Sequence, residues 1–576
     1  MTVTESPSSE MEFALLKSEQ QAVIFSPSPP SRKDVMRLSQ PWPKRRLKVA
    51  FHRNDTVEYI LTPISRFLGF ADLDIDPVIG SYDDSLSFAE EETWADADVH
   101  VVWLTYERYQ ALPADELETW LESRIAALRR SSSAPILLTN AVLKGEGASQ
   151  REGDVNAALA RLAERIGGLR IYPATEVRDA LGYDYWDSRL STLGGTSISN
   201  RASMEHARLL GLSWLPAAVR PRLKAIVLDL DNTLYSGVLG EDGLSGVELT
   251  PGHRKFQEQL RDLQESGILL AVASRNEPED VEKLFETRTD FPLNKDLLNV
   301  LCVGWYPKSK MIAEIAAELN IGTDAILFID DNLGELAEVS SMVSGLHVAH
   351  AAAPEAMPYI LPRYPNLLSW SSTDTDRFRA QDLASRSARQ ALRESAVDPS
   401  SYLKALEIVL TFSMRPRDQL RRLHEIANKT NQFVLALARF SEAEVEKYVT
   451  DPEFACVAFS LRDRLAESGN VGAIFAHREG QDLLVDELCV SCRALGRGIE
   501  TELIANALEG LLRELPAERV VWAFREGPRN RPGLDWLQGF CGQQLDPAAG
   551  SVSISAHEIA GRLSSGADIE KIWAVR

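Results

Sequence analysis

The sequence predicts an α/β protein built on parallel sheets, followed by an α+β domain at its C-terminal end. Strand-like apolar runs alternate with helical stretches of ten or more residues, which is typical of parallel sheets. Several of these strands end in polar residues, as expected where an open α/β sheet binds ligands. A length of 576 residues allows three or four domains of about 150 residues each.

The composition excludes several classes of protein. The chain has 62 Lys and Arg against 84 Asp and Glu, a net charge of −22, which disfavours non-specific nucleic-acid binding. No apolar run approaches the roughly 18–20 residues of a membrane span, and the first residues lack the pattern of a signal peptide. Five cysteines in so long a chain suit a reducing compartment. We therefore expect a cytoplasmic protein without nucleic-acid or membrane partners.

The N-terminal part is predicted to contain a disordered arm and one domain. Closely spaced Pro and Ser in SPSPPS and QPWPKRR oppose regular structure over residues 1–46. Residues 47–220 form the first domain, with strand-like and helical runs LKVAFHRND, DVHVVWLTY, ELETWLESRIAALRR and SSSAPILLTNAV. His52, Asn54 and Asp55 close the first strand. No Gly-Asp-Ser motif accompanies them, so we assign no site there.

The second domain, residues 221–365, has acidic and hydroxyl side chains at the ends of three predicted strands. They are Asp229 and Asp231 after AIVL, Ser274 at the end of ILLAVAS, and Asp330 and Asp331 at the end of AILFIDD. The helical stretches HRKFQEQLRDLQESG and SKMIAEIAAELN carry apolar stripes that would cover the sheet. These strand ends are therefore predicted to form one site.

Asp-x-Asp-x-Thr at the end of a buried strand predicts a bound cation, because neighbouring carboxylates repel each other and lose solvation there. Mg²⁺ takes oxygen ligands and accepts a phosphate as a co-ligand, so we expect it as the cofactor. Lys308 supplies a positive charge to one phosphoryl oxygen, and the Ser274 hydroxyl donates a hydrogen bond to another. These groups favour phosphoryl transfer through an aspartyl-phosphate. The order of the elements disfavours the alternative, a surface acidic cluster with an unrelated Ser and Lys.

Four motifs in this domain resemble those of the haloacid-dehalogenase (HAD) superfamily of phosphotransferases. They are DLDNT (229–233), VAS (272–274), Lys308 and FIDD (328–331). The longer stretches DLDNTLYSGVLGEDG, WYPKSKMIAEIAAELN and LFIDDN resemble its FkbH-like branch, of the subfamily IIIC type. The resemblance implies a central HAD-like Rossmannoid parallel sheet.

The resemblance also implies a role for each motif residue. Asp229 is the nucleophile, Asp231 the general acid/base, Thr233 and Ser274 position the phosphate, and Lys308 stabilises developing charge, with Lys310 as a second candidate for that lysine. The implied metal set is Asp229, Asp231 (through its backbone carbonyl), Asp330 and Asp331.

Two departures from the family pattern concern substrate choice more than the core chemistry. Tyr235-Ser236 stands in place of Trp-Gly after the first motif. Arg275-Asn276 stands in place of Lys-Asn after the second, and both residues are further candidates for phosphate binding. About forty residues separate Thr233 from Ser274, too few for a folded cap. An uncapped site admits a large substrate or the prosthetic arm of a carrier protein.

A predicted linker and helix, residues 366–400, lead to a C-terminal domain over 401–576. Its strand-like runs are LEIVLTFSM, ACVAFSLRD, VGAIFAHRE, LLVDELCVS and VVWAF. The stretches NKTNQF, LRDRLAESGNVG and SCRALGRGIE resemble the GNAT-like, acyltransferase-like region of the same family. The first domain is similar to a degenerate SGNH-hydrolase-like module, so the resemblance covers most of the chain.

The glycine-containing run RALGRG precedes the helical stretch IETELIANALEGLL, where backbone N–H groups can approach a pyrophosphate. Arg493, Gly496 and Gly498 are therefore predicted to bind coenzyme A or a phosphopantetheine arm. Asn431 and Gln432 either contact the acyl donor or satisfy the backbone. Cys492 is either a thiolate that carries an acyl unit or a structural cysteine. The lone C-x-x-C that it forms with Cys489 disfavours a zinc site.

The resemblance implies a glyceryltransferase/phosphatase of natural-product biosynthesis. Such a protein takes 1,3-bisphosphoglycerate, removes phosphate at Asp229 with Mg²⁺, and loads a glyceryl unit as a thioester onto an acyl carrier protein. The alternatives are a phosphatase or phosphotransferase for another substrate, and a non-catalytic scaffold that binds a carrier. Because carriers are usually acidic, docking needs a local basic patch. The stretch RPRDQLRRLHEIANK (415–429) is the candidate, and a solvated helix face is its other interpretation.

Overall fold

The computed structural model describes residues 7–38, 44–83, 85–87, 94–145, 147–189, 196–368, 385–396, 398–491, 493–495, 497–562 and 569–574. The chain divides into two compact units, Met1–Trp370 and Ser371–Arg576. The boundary between the units falls inside the predicted linker. Both predicted N-terminal domains lie in the first unit, and their division at residue 220 stays a prediction.

The first unit is built on two parallel sheets. The strands of its described residues are β1 Arg45–Arg53, β2 Leu73–Tyr82, β3 Val99–Trp103, β4 Ile136–Thr139, β5 Leu169–Tyr172, β6 Ala225–Leu228, β7 Leu269–Ser274, β8 Val300–Val303, β9 Ile326–Asp330 and β10 His347–His350. The sheet orders are β2-β1-β3-β4-β5 and β10-β9-β6-β7-β8, and every pairing is parallel. The predicted α/β fold class is therefore confirmed.

Helices connect these strands and cover the sheets. They are Pro7–Ile24, Arg32–Met36, Glu58–Phe70, Ala114–Arg129, Ala148–Arg165, Ala174–Leu181, Asn200–Leu209, Leu215–Val219, Leu239–Gly246, Pro251–Glu265, Pro278–Thr287, Lys308–Leu319, Leu333–Met342 and Met357–Arg363, with short 3₁₀ or π turns at Tyr106–Tyr109, Gly182–Tyr185, Leu210–Trp214, Lys295–Leu297 and Thr323–Ala325. The helix Pro251–Glu265 starts where the Thr250 hydroxyl accepts from the His253 N–H, and Pro251 suits its first turn.

The core of the second sheet follows from its sequence. The strand AIVL of β6 is fully buried, as expected of a central parallel strand with helices on both faces. The predicted apolar stripe of the helix Lys308–Leu319, at Ile312, Ile315, Ala316 and Leu319, is buried as well. One apolar cluster joins side chains of this sheet to side chains of the first sheet. Within the continuously described stretch 196–368, only the short helix Leu239–Gly246 lies between β6 and the helix that leads to β7, so there is no folded cap.

The N-terminal segment differs from the prediction of a disordered arm. Residues 7–24 form a helix, and Ile24, Phe25 and Leu38 are buried in the same apolar cluster as the sheets. The Gln21 side-chain oxygen accepts from the His350 N–H of β10 at 2.8 Å. The prolines of SPSPPS lie between the helices Pro7–Ile24 and Arg32–Met36, and the apolar residues on either side of them have a surface to cover. Residues 1–6 and 39–43 lie outside the described residues.

The second unit has a mostly antiparallel sheet. Its strands are β11 Val409–Met414, β12 Phe433–Val434, β13 Phe454–Arg462, β14 Glu467–Glu479, β15 Asp482–Val490, β16 Arg519–Ala523, β17 Ser551–Ser555 and β18 Glu570–Trp573. The order is β17-β16-β15-β14-β13-β11-β18, and β12 also pairs with β15. Its helices are Arg386–Ser395, Pro399–Leu406, Leu420–Lys429, Glu442–Thr450, Glu500–Glu514, Arg531–Cys541 and Ala556–Arg562, with a 3₁₀ turn at Arg417–Gln419. This arrangement is the predicted α+β domain.

No helix in the described part of the chain combines the length and the apolar character that crossing a lipid bilayer requires.

We predict that Phe25→Ala destabilises the first unit. The Phe25 ring lies 5.9 Å from the ring of Phe70, edge to face, and is buried. Truncation of a buried Phe costs about 3–5 kcal/mol, so the free energy of unfolding in urea should fall by that amount. Glu19→Ala, an exposed position on the same N-terminal helix, is the control and should change it little. Equal urea midpoints for the two variants would show that this segment is not part of the core.

Candidate active site and metal centre

The candidate site lies where the strand order of the second sheet reverses. The chain builds β6, β7 and β8 toward one edge and then adds β9 and β10 on the other side of β6. Ligands of doubly wound sheets bind at such a point, outside the carboxyl ends of the strands. Asp229 directly follows β6, and Asp330 is the last residue of β9. The parallel pairing of the two strands therefore places both side chains at one crevice.

Three carboxylates meet at this crevice. Side-chain oxygens of Asp229, Asp330 and Asp331 lie within 4.8 Å of one another. Asp229 is 5% exposed, Asp330 is fully buried, and Asp331 is half-buried. Burial raises the pKa of each of the three carboxyl groups, most of all because ionised groups lose solvation there. The three predicted metal ligands that follow β6 and end β9 thus form one cluster.

Lys308 is the cation of this cluster. It begins the helix Lys308–Leu319, and its Nζ atom lies 2.9 Å from Asp229 Oδ1 and 2.5 Å from Asp330 Oδ2. Burial alone would lower the pKa of Lys308, but the charges of Asp229 and Asp330 outweigh it and raise the pKa. Lys310, the second candidate, is 68% exposed and pairs with Glu314 instead.

The charges and unsatisfied atoms fit a divalent cation. Three carboxylates and one ammonium leave two negative charges uncompensated in this group, and carboxylate oxygens are the ligands that Mg²⁺ prefers. Asp229 Oδ1 is buried and faces Lys308 as an ion pair, but it accepts no directed hydrogen bond from a described residue. The buried Thr233 Oγ1 has no hydrogen-bond partner among the described residues either. Such atoms indicate a ligand, and the predicted Mg²⁺ cofactor fits this donor set.

The side chain of Asp231 lies outside the cluster of three carboxylates. Its Oδ1 atom accepts from the Tyr235 hydroxyl at 2.7 Å and from the Leu239 N–H at 3.0 Å. Its Oδ2 atom accepts from the Asn276 amide at 3.0 Å. Asn232, with a φ of +53°, turns the chain between Asp231 and Thr233. Asp231 was predicted as a metal ligand through its backbone carbonyl, and that role stays a prediction.

The residues after β7 take different positions. Ser274 and Asn276 are buried, and the Asn276 amide also donates to Ser274 Oγ at 3.2 Å, so Asn276 links Ser274 to Asp231. Arg275 instead forms an ion pair with Glu335 at 3.0 Å. Sequence analysis had not identified Glu335, nor the contact of the Tyr235 hydroxyl with Asp231. Each of these two contacts forms only when the loops that carry the residues have folded.

The predicted acyl-binding residues of the second unit have mainly structural contacts. Arg493 is buried and donates to the Ser468 and Asn470 carbonyls at 2.5 and 3.0 Å. Asn431 accepts from Arg439 at 2.9 Å, and Gln432 is half-buried. Gly498 has a φ of +76°, with open space where a Cβ would lie. Their roles toward an acyl donor stay predictions.

Cys492 and Gly496, the two central residues of that prediction, lie outside the described residues. The neighbouring Cys489 is buried, which raises the pKa of its thiol and makes it a poor thiolate.

The basic stretch 415–429 is largely paired within its own unit. Arg415 lies 3.3 Å from Glu514, while Arg422 and Lys429 lie 3.1 and 3.3 Å from Glu425. Arg417 is exposed. The free positive charge that this stretch can offer to a partner is therefore smaller than its composition indicates.

Comparisons with known proteins find similarities at low identity. No protein-family model and no curated protein matches the sequence. Among solved structures, the N-terminal part of a Bacteroides fragilis protein, containing a phosphatase domain complexed with Mg, is 19% identical; the match covers 58% of this chain and 99% of that one, with a TM-score of 0.48.

Two other solved structures match parts of the chain. A spermidine/spermine N-acetyltransferase of Vibrio cholerae is 16% identical over 27% of this chain and 97% of its own, with a TM-score of 0.20. A tandem GNAT protein from the clavulanic acid biosynthesis pathway is 22% identical over 24% of this chain and 43% of its own, with a TM-score of 0.18. Identities this low do not indicate a shared activity.

We predict that Mg²⁺ raises the thermal unfolding midpoint of the wild-type protein. A ligand that binds only the folded state at about 100 times its Kd adds about 2.7 kcal/mol of stability. Asp331→Asn should weaken Mg²⁺ binding by about 100-fold or more, because the loss of even an outer-shell partner of a metal ligand lowers metal affinity about 10–100-fold. Isothermal titration with Mg²⁺ and thermal unfolding measure the two effects. The control is Asp296→Asn, an exposed position outside the cluster; a loss of affinity equal to that of Asp331→Asn would contradict this assignment of the metal site.

Proposed function

We propose that the protein is a Mg²⁺-dependent HAD-type phosphatase and glyceryltransferase. It would take 1,3-bisphosphoglycerate and load a glyceryl unit as a thioester onto an acyl carrier protein, with loss of phosphate. The observation that carries the phosphatase part is the meeting of Asp229, Asp330, Asp331 and Lys308 at the switch point of the sheet. The acyl-transfer part is supported by the resemblance of the C-terminal sequence.

Asp229, Asp330 and Asp331 are the residues that would hold the metal. When bound, Mg²⁺ supplies positive charge that neutralises the carboxylates and polarises a phosphoryl oxygen. Lys308 already lies within ion-pair distance of Asp229 and Asp330, so its ammonium can bind a second phosphoryl oxygen without moving far. The Thr233 and Ser274 hydroxyls are buried, and they would donate to the remaining oxygens.

Hydrolysis of a phosphate ester would proceed in two displacements. A carboxylate oxygen of Asp229 attacks phosphorus, the bond to the leaving oxygen breaks, and that oxygen takes a proton from Asp231. Water then attacks the aspartyl-phosphate and passes a proton to Asp231, which releases inorganic phosphate and restores Asp229. Asp231 Oδ2 accepts one described hydrogen bond where Oδ1 accepts two, so Oδ2 is the oxygen with room for the proton.

The open site suits a substrate attached to something larger. The stretch between β6 and β7 contributes only the helices Leu239–Gly246 and Pro251–Glu265. A phosphate ester on a long arm can therefore enter from the carboxyl edge of the sheet, where a lid would exclude it. Acyl transfer itself needs a thiol that attacks the C1 acyl phosphate, with inorganic phosphate as the leaving group. The two steps together release two phosphates for each glyceryl thioester formed.

We predict that incubation with 1,3-bisphosphoglycerate, Mg²⁺ and a holo-carrier protein adds one glyceryl unit to the carrier. Intact-protein mass spectrometry measures the carrier, and a colorimetric assay measures phosphate. Asp229→Asn should lower phosphate release from the ester by about 10³-fold or more, because it removes the nucleophile. Asp296→Asn is the matched control, an exposed Asp→Asn change outside the site.

Each outcome of this experiment separates the candidate functions. Phosphate release with an unchanged carrier mass, across all carriers tried, would favour a phosphatase for another substrate. Full activity of Asp229→Asn would contradict the aspartyl-phosphate route. Carrier binding without any turnover would favour the scaffold.

We predict that Cys492→Ala lowers carrier loading at least about tenfold more than it lowers phosphate release from 3-phosphoglycerate. The physical reason is that a thioester on this cysteine would serve acyl transfer but not ester hydrolysis. Cys541→Ala, which changes another cysteine of the same unit, is the control. Unchanged carrier loading by Cys492→Ala would assign Cys492 a structural role.

A further inference from the structure

Few large apolar side chains of the described residues are exposed, and one of them lies beside the site. They are Ile79, Tyr82, Tyr183, Trp305, Met342 and Ile572. Trp305 is 67% exposed and belongs to the loop between β8 and the helix that begins at Lys308. Its loop leads directly into Lys308 and contacts the end of β7 through the Gly304 N–H and the Ser274 carbonyl, which places this loop at the rim of the crevice.

Hydrogen bonds hold the Trp305 loop against the loop that follows β7. The Trp305 indole N–H donates to Glu277 Oε1 at 2.7 Å. The neighbouring Gly304 N–H donates to the Ser274 carbonyl at 3.1 Å. Glu277 directly follows Asn276, whose amide donates to Asp231. The position of the indole is thus tied to the same loop that positions Ser274 and Asp231.

A Trp side chain in this state offers a ligand only its flat apolar faces. Its single donor is already used by Glu277. An indole carries more apolar surface than most side chains, and its exposure to water is unfavourable unless a ligand covers it. Fixing the ring before binding also lowers the entropy cost of packing a ligand against it.

The charges around Trp305 select the kind of ligand group that can pack there. Glu277, whose carboxylate accepts from the indole N–H, is the charged group that contacts this ring among the described residues. A carboxylate in direct contact with the ring disfavours a second phosphate or another anion beside it. A neutral chain of amide and methylene groups is suited to it, because amide planes and aliphatic groups both pack on an indole face.

We propose that Trp305 is a substrate-contact residue that packs against the pantetheine arm of a phosphorylated acyl thioester. This inference rests on the proposed function and specifies it further: the phosphate ester would be hydrolysed while the acyl unit is attached to the arm. The phosphate lies at Asp229 and Lys308, and the neutral arm leaves the uncapped site over the indole. Trp305 takes no part in the chemical steps and acts on substrate affinity.

The test compares two substrates that have the same phosphate ester bond. 3-Phosphoglycerate is the short substrate, and its pantetheine thioester is the long one. The wild-type protein should have a higher kcat/KM for the long substrate. Trp305→Ala should reduce the long-to-short ratio of kcat/KM by about three- to tenfold, mainly through KM, and Trp305→Phe should restore part of it.

Controls separate this inference from the proposed function. Tyr183→Ala removes a fully exposed aromatic side chain elsewhere in the first unit and should leave the ratio unchanged. Glu277→Ala frees the indole and should reduce the ratio less than Trp305→Ala. A wild-type protein that hydrolyses both substrates without preference, or a Trp305→Ala variant with an unchanged ratio, would overturn the role of Trp305 alone. Failure of the wild-type protein to hydrolyse either substrate would overturn the proposed function as well.

Discussion

The structure of the site depends on one electrostatic constraint, the confinement of three carboxylates with a single buried ammonium. Parallel pairing of β6 with β9 continues through the Asp229 N–H, which donates to the Ile329 carbonyl at 3.0 Å, so Asp229 and Asp330 must lie side by side. Burial raises the pKa of both carboxyl groups, and Lys308 balances only part of their charge. A bound divalent cation would therefore stabilise the ionised form of these carboxylates.

The charged side chains around the crevice are positioned by the ends of strands and the first residues of helices. The Asn332 N–H donates to Asp330 Oδ1 at 2.8 Å, and the Asn332 side chain caps the helix Leu333–Met342. Lys308 begins the helix Lys308–Leu319. The N–H of the next residue, Ser309, donates to the Glu338 side chain of the helix Leu333–Met342 at 3.2 Å. Helix starts and strand ends are short and rigid, so the geometry does not depend on a cap. Preorganised charges of this kind suit the phosphoryl transfer that we propose for this site.

The second unit places its buried charges in supporting roles. Arg493 joins the loop before the helix Glu500–Glu514 to the backbone of β14, and Arg497 lies 3.4 Å from the buried Asp463. These contacts hold the loop in which a pantetheine site was predicted, and those of Arg493 use the guanidinium that sequence analysis had assigned to the ligand. The same holds for the basic stretch 415–429, where Glu425 and Glu514 neutralise three of the cations. A positive residue in a sequence is available to a partner only after such internal pairs are known.

Local sequence determined the fold class and the residues of the candidate site. Runs such as AIVL and ILFID are apolar because their strands are buried on both faces, and their acidic ends are read directly along the chain. In the first unit, sequence analysis missed the strands β2, β5, β8 and β10, because they are short or mixed in polarity and are strands only through their neighbours. Tertiary structure decided the remaining features. These are the packing of the N-terminal helix, the choice of Lys308 over Lys310, and the partners of Asp231 and Arg275. The physical reason is that most of these contacts join residues far apart in the chain, such as Asp231 with Asn276 and Arg275 with Glu335, which meet only in the folded protein.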